Sequence, residues 1–167
     1  KGTSKNNIIF SSNDEKGGGI LVLNSKQKSI IKNVIFKSLS PPIIKGLNLT
    51  GAVTFFQSEV EISNTHFSNN IVGDDYLNFI KSNYSIINSS FENIFADAID
   101  SDFSKGLINS VIFNLVGNNA LDFSGSFASL KDLTINGVND KALSVGERST
   151  VNLSNSEIWD SYIGIAS

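Results

Sequence analysis

Two interleaved patterns recur along this chain with one shared period, and that period limits what the chain can fold into. The first is apolar-x-polar-x-x-apolar. It occurs as IKNVIF (31–36), ISNTHF (62–67), IINSSF (86–91), INSVIF (108–113), LKDLTI (130–135) and LSNSEI (153–158). Successive starts lie 31, 24, 22, 22 and 23 residues apart. The second reads GAVTFF (51–56), YLNFI (76–80), AIDSD (98–102), ALDFS (120–124) and ALSVG (142–146). GILVLN (19–24) is an earlier copy and GIAS (164–167) starts a later one. The column Thr54, Asn78, Asp100, Asp122, Ser144 and Ala166 is spaced 24, 22, 22, 22 and 22 residues.

A period of this length built from short alternating segments implies a solenoid of strands. Helical repeats need longer blocks of 3.6-residue periodicity, and none is present. The Leu-x-x-Leu-x-Leu signature of leucine-rich repeats is missing, and hexapeptide coils are shorter. Ile, Val, Phe, Asn and Ser dominate the composition, which favours strands and turns. The expectation is an all-β chain, one domain over 1–167, with six to seven coils of about 22 residues.

The coil blocks resemble the right-handed parallel β-helix proteins of the pectin-lyase-like group over nearly the whole chain. The resemblance implies a right-handed single-stranded parallel β-helix. It is specific for fold and poor for function, because such folds host many activities. DDYLNFIKS, ADAIDSDFS, NNALDFSGS and DKALSVGER resemble functionally unassigned bacterial β-helix regions, which often adjoin other domains. That implies a bacterial secreted or surface protein with neighbouring domains in its parent chain. The chain starts at Lys1, and neither KGTSKNN nor GIAS looks like a solenoid cap, so it reads as part of a longer protein.

Strand alternation assigns the faces. Val60 with Ile62, and Val151 with Leu153, point inward. Phe36, Phe67, Phe91, Phe113, Ile135 and Ile158 form a second inward ladder. Val53 with Phe55, Leu77 with Phe79, Leu121 with Phe123 and Leu143 with Val145 form a third. The polar column Asn33, Asn64, Asn88, Ser110, Asp132 and Asn155 looks like an asparagine ladder, its amides bridging successive coils at a turn. KSLSPPIIKGLNLT (37–50) is an inserted loop, either a groove wall or a plain surface insertion. EKGGGI (15–20) is a turn before a strand, not a phosphate loop, because no helix follows it.

At coil spacing, scattered acids become neighbours. Asp100 and Asp102 point outward, Asp122 follows in the Asp100 column and Asn78 precedes it. Asp97 shares a column with Asp75 and Asn119. Stacked carboxylates repel, so either a pKa rises or a cation binds. Three readings follow. Asp97, Asp100 and Asp122 are candidate catalytic acids, the outcome depending on their separation. Asp75, Asp97, Asp100 and Asp122 are a candidate calcium site. Or the patch is a solvated face that resists further strand pairing. Candidate substrate-binding residues are Asn78, Asp102, Asn119, Lys105, Lys141 and Arg148.

Exclusions narrow the chemistry. Net charge is −3 and Arg148 is the sole arginine, which argues against nucleic acid. No cysteine is present, so disulfides and thiolate metal sites are excluded. No apolar run reaches the length of a membrane span. The polygalacturonase-like Gly-His-Gly and Arg-Ile-Lys motifs are missing, and Arg148 is the one candidate for the arginine base of pectate-lyase-like members. His66, the single histidine, reads as a turn residue rather than a base. Phe56, Tyr76, Trp159 and Tyr162 are candidates for stacking on sugar rings, against core or turn packing. Three functions remain: a polysaccharide-binding module with or without calcium; a polysaccharide lyase, epimerase or hydrolase using the aspartates; and a structural stalk or adhesin segment.

Overall fold

The computed structural model describes residues 2–13 and 17–167, so Glu15 and Lys16 of EKGGGI lie outside the described residues. The fold is a parallel β-solenoid of about seven turns, with equivalent residues roughly 23 apart. Among the described residues there is no helix, and so none long and apolar enough to cross a membrane. In chain order the strands are β1 (Ile8–Ser11), β2 (Ile20–Leu23), β3 (Ser29–Lys32), β4 (Val34–Lys37), β5 (Gly51–Phe56), β6 (Val60–Ser63), β7 (His66–Ser68), β8 (Asp75–Ile80), β9 (Asn83–Ile94), β10 (Asp97–Asp102), β11 (Lys105–Val116), β12 (Leu121–Ser124), β13 (Phe127–Lys131), β14 (Thr134–Gly146), β15 (Thr150–Ser154) and β16 (Glu157–Ala166).

Each coil has three faces. The first stacks β2, β5, β8, β10, β12 and the end of β14. The second stacks β3, β6, the start of β9, the start of β11, β13 and β15. The third stacks β1, β4, β7, the later halves of β9 and β11, and the starts of β14 and β16. The long strands β9, β11, β14 and β16 bend round a corner; β9 and β11 keep their register through it, whereas β14 and β16 shift register between Val138 and Lys141.

The corners explain the polar columns. Left-handed backbone turns the chain at each one. Between the first and second faces it falls on Asn24, Gln57, Lys81, Phe103, Gly125 and the pair Glu147–Arg148. Between the second and third it falls on Asn33, Asn64, Asn88, Ser110, Asp132 and Asn155, with φ from 48° to 55°. After the third face it falls on Ser38, Asn69, Asn93, Leu115, Gly137 and Asp160. Asparagine tolerates this region better than most residues with a Cβ, which accounts for its enrichment there.

The expected asparagine ladder is therefore first a conformational column. Its side chains join coils at the ends, Asn33 Nδ2 donating to Gly2 O at 3.1 Å and Asn155 Nδ2 to Asp132 Oδ1, while Asn64 and Asn88 are exposed. The inter-coil bonding expected of the asparagines is carried by serines just past the first corner. The backbone N–H of Ser58 donates to Ser82 Oγ at 3.1 Å, Ser82 to Ser104 at 2.9 Å and Ser104 to Ser126 at 2.9 Å. Each hydroxyl donates in turn to a backbone carbonyl, as Ser82 does to Ile80 O at 3.0 Å.

All three inward ladders lie in the core. Phe10, Phe36, Phe67, Phe91 and Phe113 stack at centroid spacings of 5.3, 5.2, 4.6 and 5.0 Å, close to the inter-strand distance. The column Phe55, Phe79, Ser101, Phe123 has one small member. Tyr84 reaches in from the second face to fill that gap, its ring 3.8 Å from Phe79 and its hydroxyl donating to Ser101 Oγ at 3.1 Å. Gly106, next to Tyr84 in register, must lack a side chain: a Cβ there would lie 2.3 Å from the Tyr84 ring.

The 37–50 insertion packs against the first face. Thr50 O accepts from the Asp74 and Asp75 N–H groups, and Thr50 Oγ1 from Asn78 Nδ2 at 3.4 Å.

Candidate functional site

The register brings the aspartates together. Asp75 pairs with Asp97, and Asn78, Asp100 and Asp122 follow one another across β8, β10 and β12. The patch then divides into two parts with different chemistry.

The buried part ties coils together. Asp97 accepts from Asn119 N at 2.8 Å, Asn118 Nδ2 at 2.6 Å and Asn119 Nδ2 at 3.3 Å. Asn119 Oδ1 accepts in turn from Lys141 N at 3.3 Å. Asp75 accepts from Asn78 Nδ2 at 3.0 Å, and the same amide reaches Asp100 Oδ2 at 2.9 Å. Asn78 Oδ1 is the one buried side-chain polar atom among the described residues that has no hydrogen-bond partner. Burial raises the Asp75 carboxyl and lifts Asp97 to about 6, despite its three donors.

The outward part is Asp100, Asp102 and Asp122, all half-buried. Burial first, then the charges of Asp75, Asp102, Asp122 and Asp97, pushes Asp100 up to about 8. Asp102 is raised by burial, then by Asp122 and Glu147. Asp100 therefore holds its proton at neutral pH.

The expected ligand contacts disperse. Asn78 and Asn119, 1% and 5% exposed, spend their amides inside the protein. Lys141 Nζ is 2.5 Å from Asp140 Oδ2. Arg148 is exposed at a corner, with φ 64°. Lys105 lies past the Phe103 corner, on the second face. On the first face, Asn78 stands in the Asp100 column, Asp102 faces outward, and Lys141 feels the charges of Asp122 and Asp97. Among the described residues, no group of three or more His, Cys, Asp or Glu side chains is arranged to hold a metal ion. Of the calcium quartet, Asp75 and Asp97 turn oxygens to amide and backbone donors, while Asp100 and Asp122 are half-exposed.

Among the grooves elsewhere, two gather side chains with chemistry to offer. On the second face a trough of about 510 Å³ runs from Lys28 and Glu61 past Ser85 to Lys105, Leu107 and Ser129. A further 210 Å³ continues it past Phe127 to Thr150 and Asn152, sharing Lys105, Gly106 and Ser129. It lies over the inward column Val60, Tyr84, Gly106, Ala128 and Val151, which narrows at Gly106 and Ala128. Lys28 is bridged to Glu61 at 3.1 Å and Glu59 at 3.4 Å, whereas Lys105 makes no ion pair among the described residues.

On the third face a groove of about 290 Å³ is lined by His66, Ser90, Glu92, Ile112, Asn114, Asn136 and Trp159, among others. His66 is not a turn residue: the left-handed corner is Asn64, and His66 opens β7 with its ring outward. Its Nδ1 is 2.9 Å from Ser90 Oγ and its Nε2 is 3.8 Å from Glu92 Oε2. Both grooves escaped the sequence reading. The His66–Ser90 pairing was available from the 24-residue offset between ISNTHF and IINSSF. The trough offered no such signal, because it runs across successive strands of the second face rather than along one motif.

No family model, curated protein or solved structure matches this chain.

Proposed function

We propose that the protein is a polysaccharide-binding solenoid module of a bacterial secreted or surface protein of the pectin-lyase-like kind, flanked by other domains. An extended glycan lies lengthwise in the second-face trough. The observation that carries this reading is the trough itself, continuous from Lys28 to Asn152 along the solenoid axis with the unpaired Lys105 midway. A polymer of like units suits a surface that repeats about every 4.8 Å. Ser85, Ser129 and Asn152 offer groups for sugar hydroxyls, and Leu107 and Phe127 offer apolar surface for ring faces. Lys105, placed among the binding residues by the sequence, keeps that role away from the aspartates.

Retention in native gels cast with a panel of neutral and uronate glycans tests it. One glycan retards the protein, and Lys105→Ala and Phe127→Ala each weaken retention about tenfold, the equivalent of about 1.4 kcal/mol. Equal migration of all three proteins in every gel contradicts the proposal and leaves the stalk reading.

One observation favours a second reading, glycan cleavage on the first face. Asp100 keeps a proton at neutral pH, is half-exposed, and stands in register with Asp122 one coil on. That is the placement of a general acid beside a second carboxyl group. Released product that disappears in Asp100→Asn and Asp122→Asn supports it, and no product from any glycan in the panel removes it.

A further inference from the structure

We infer that the third-face groove is a separate acyl-ester hydrolase site, with Ser90 as nucleophile and His66 as its base. Three outward side chains on adjacent strands make the arrangement. His66 of β7 and Ser90 of β9 are direct register partners, and Glu92 is two residues further along β9. Glu92 faces Nε2 at 3.8 Å, which favours the tautomer carrying its proton there. The Nδ1 lone pair then receives the Ser90 hydroxyl at 2.9 Å. A nucleophile within reach of a base that a third group orients is the working unit of serine hydrolases on unrelated folds.

The groove supplies the other parts. Asn136 Nδ2 donates to Asn114 Oδ1 at 3.2 Å, which fixes the Asn114 amide and leaves its own Nδ2 to stabilise a developing oxyanion. Ile112 follows Ser90 in register and is 53% exposed, and Trp159 is 55% exposed. Together they give a short acyl chain an apolar bed. The substrate class is a small O-acyl ester, such as an acetylated hydroxyl. Ser90 Oγ attacks the ester carbonyl carbon while its proton passes to His66 Nδ1. The carbon–oxygen bond to the alcohol breaks, and that oxygen takes the proton from His66. Water, deprotonated by His66, then cleaves the acyl-serine, releasing the carboxylic acid and restoring Ser90. Glu92 touches no reacting atom and is a positioning residue. None of this depends on glycan binding in the second-face trough.

The intact chain is treated with a fluorophosphonate probe, with peptide mass mapping, and assayed with p-nitrophenyl acetate. The expected adduct sits on Ser90. Ser90→Ala and His66→Phe each lower turnover by about 100-fold or more. Glu92→Gln lowers kcat about tenfold with KM unchanged, whereas Lys26→Ala, at an exposed lysine outside both grooves, leaves turnover intact. Circular dichroism melts confirm that each variant is folded, and Ser90→Thr replaces Ser90→Ala should the alanine protein not fold. Absence of an adduct on Ser90, or full turnover by a folded Ser90 variant, overturns the inference.

Discussion

Asp100 shows how one residue type takes opposite roles at one spacing. Its register neighbour Asn78 neutralises part of the column by donating to it, but burial and four other carboxylates hold its proton on to about pH 8. The consequence for stability has a definite sign. A carboxyl group raised on folding favours the folded state below its ordinary range near pH 4, and that advantage is lost as pH rises through the folded values. Asp97 at about 6 and Asp100 at about 8 set the window. Melting temperature should therefore fall between about pH 4 and pH 8. Asp100→Asn should flatten the upper part of the curve and add roughly 1–3 kcal/mol at pH 9. A melting temperature that rises with pH over this window would place Asp100 in a solvated setting instead. The aspartate columns were legible because both patterns share one period. The split between buried ties and outward acids was not, since it depends on which oxygens the Asn118, Asn119 and Asn78 amides reach.

At the scale of the element, the corner decides more than the strand. A single left-handed residue turns the chain at every corner but Glu147–Arg148, and after Gln57, Lys81 and Phe103 the next residue hands its N–H to the coil above. At the first corner that residue is serine through Ser58, Ser82, Ser104 and Ser126, whose hydroxyl accepts from one coil and donates to a carbonyl. Ser104→Ala leaves the Ser82 N–H buried without an acceptor and should cost about 1–3 kcal/mol in urea unfolding. A loss below about 0.5 kcal/mol would mean that the ladder is dispensable. Sequence reading caught the Asn column and credited it with the bonding, because asparagine is conspicuous and serine is abundant in this chain. It also missed Phe103 as a corner, since aromatic residues rarely adopt φ 50°. That miss is why the sequence groups Lys105 with aspartates on a different face; His66 reads as part of the turn because it lies only two residues past the Asn64 corner.

For the whole molecule, three flat faces share one core, and each carries its own chemistry: carboxyl groups on the first, a long trough on the second, and the His66–Ser90–Glu92 groove on the third. The inward ladders could be read from periodicity alone, because most of their members are apolar and recur at nearly one offset. The compensation among Tyr84, Ser101 and Gly106 could not, since it joins residues from two faces. The trough carries the functional account. The most direct test is the dependence of affinity on oligosaccharide length, measured by calorimetry with the glycan that retards the protein in gels. Affinity should climb with each added sugar until the oligosaccharide spans the trough and then level off, with Lys105→Ala lowering the whole curve. Affinity that is the same for a disaccharide and a long oligomer, or unchanged by Lys105→Ala, would contradict lengthwise binding along the second face.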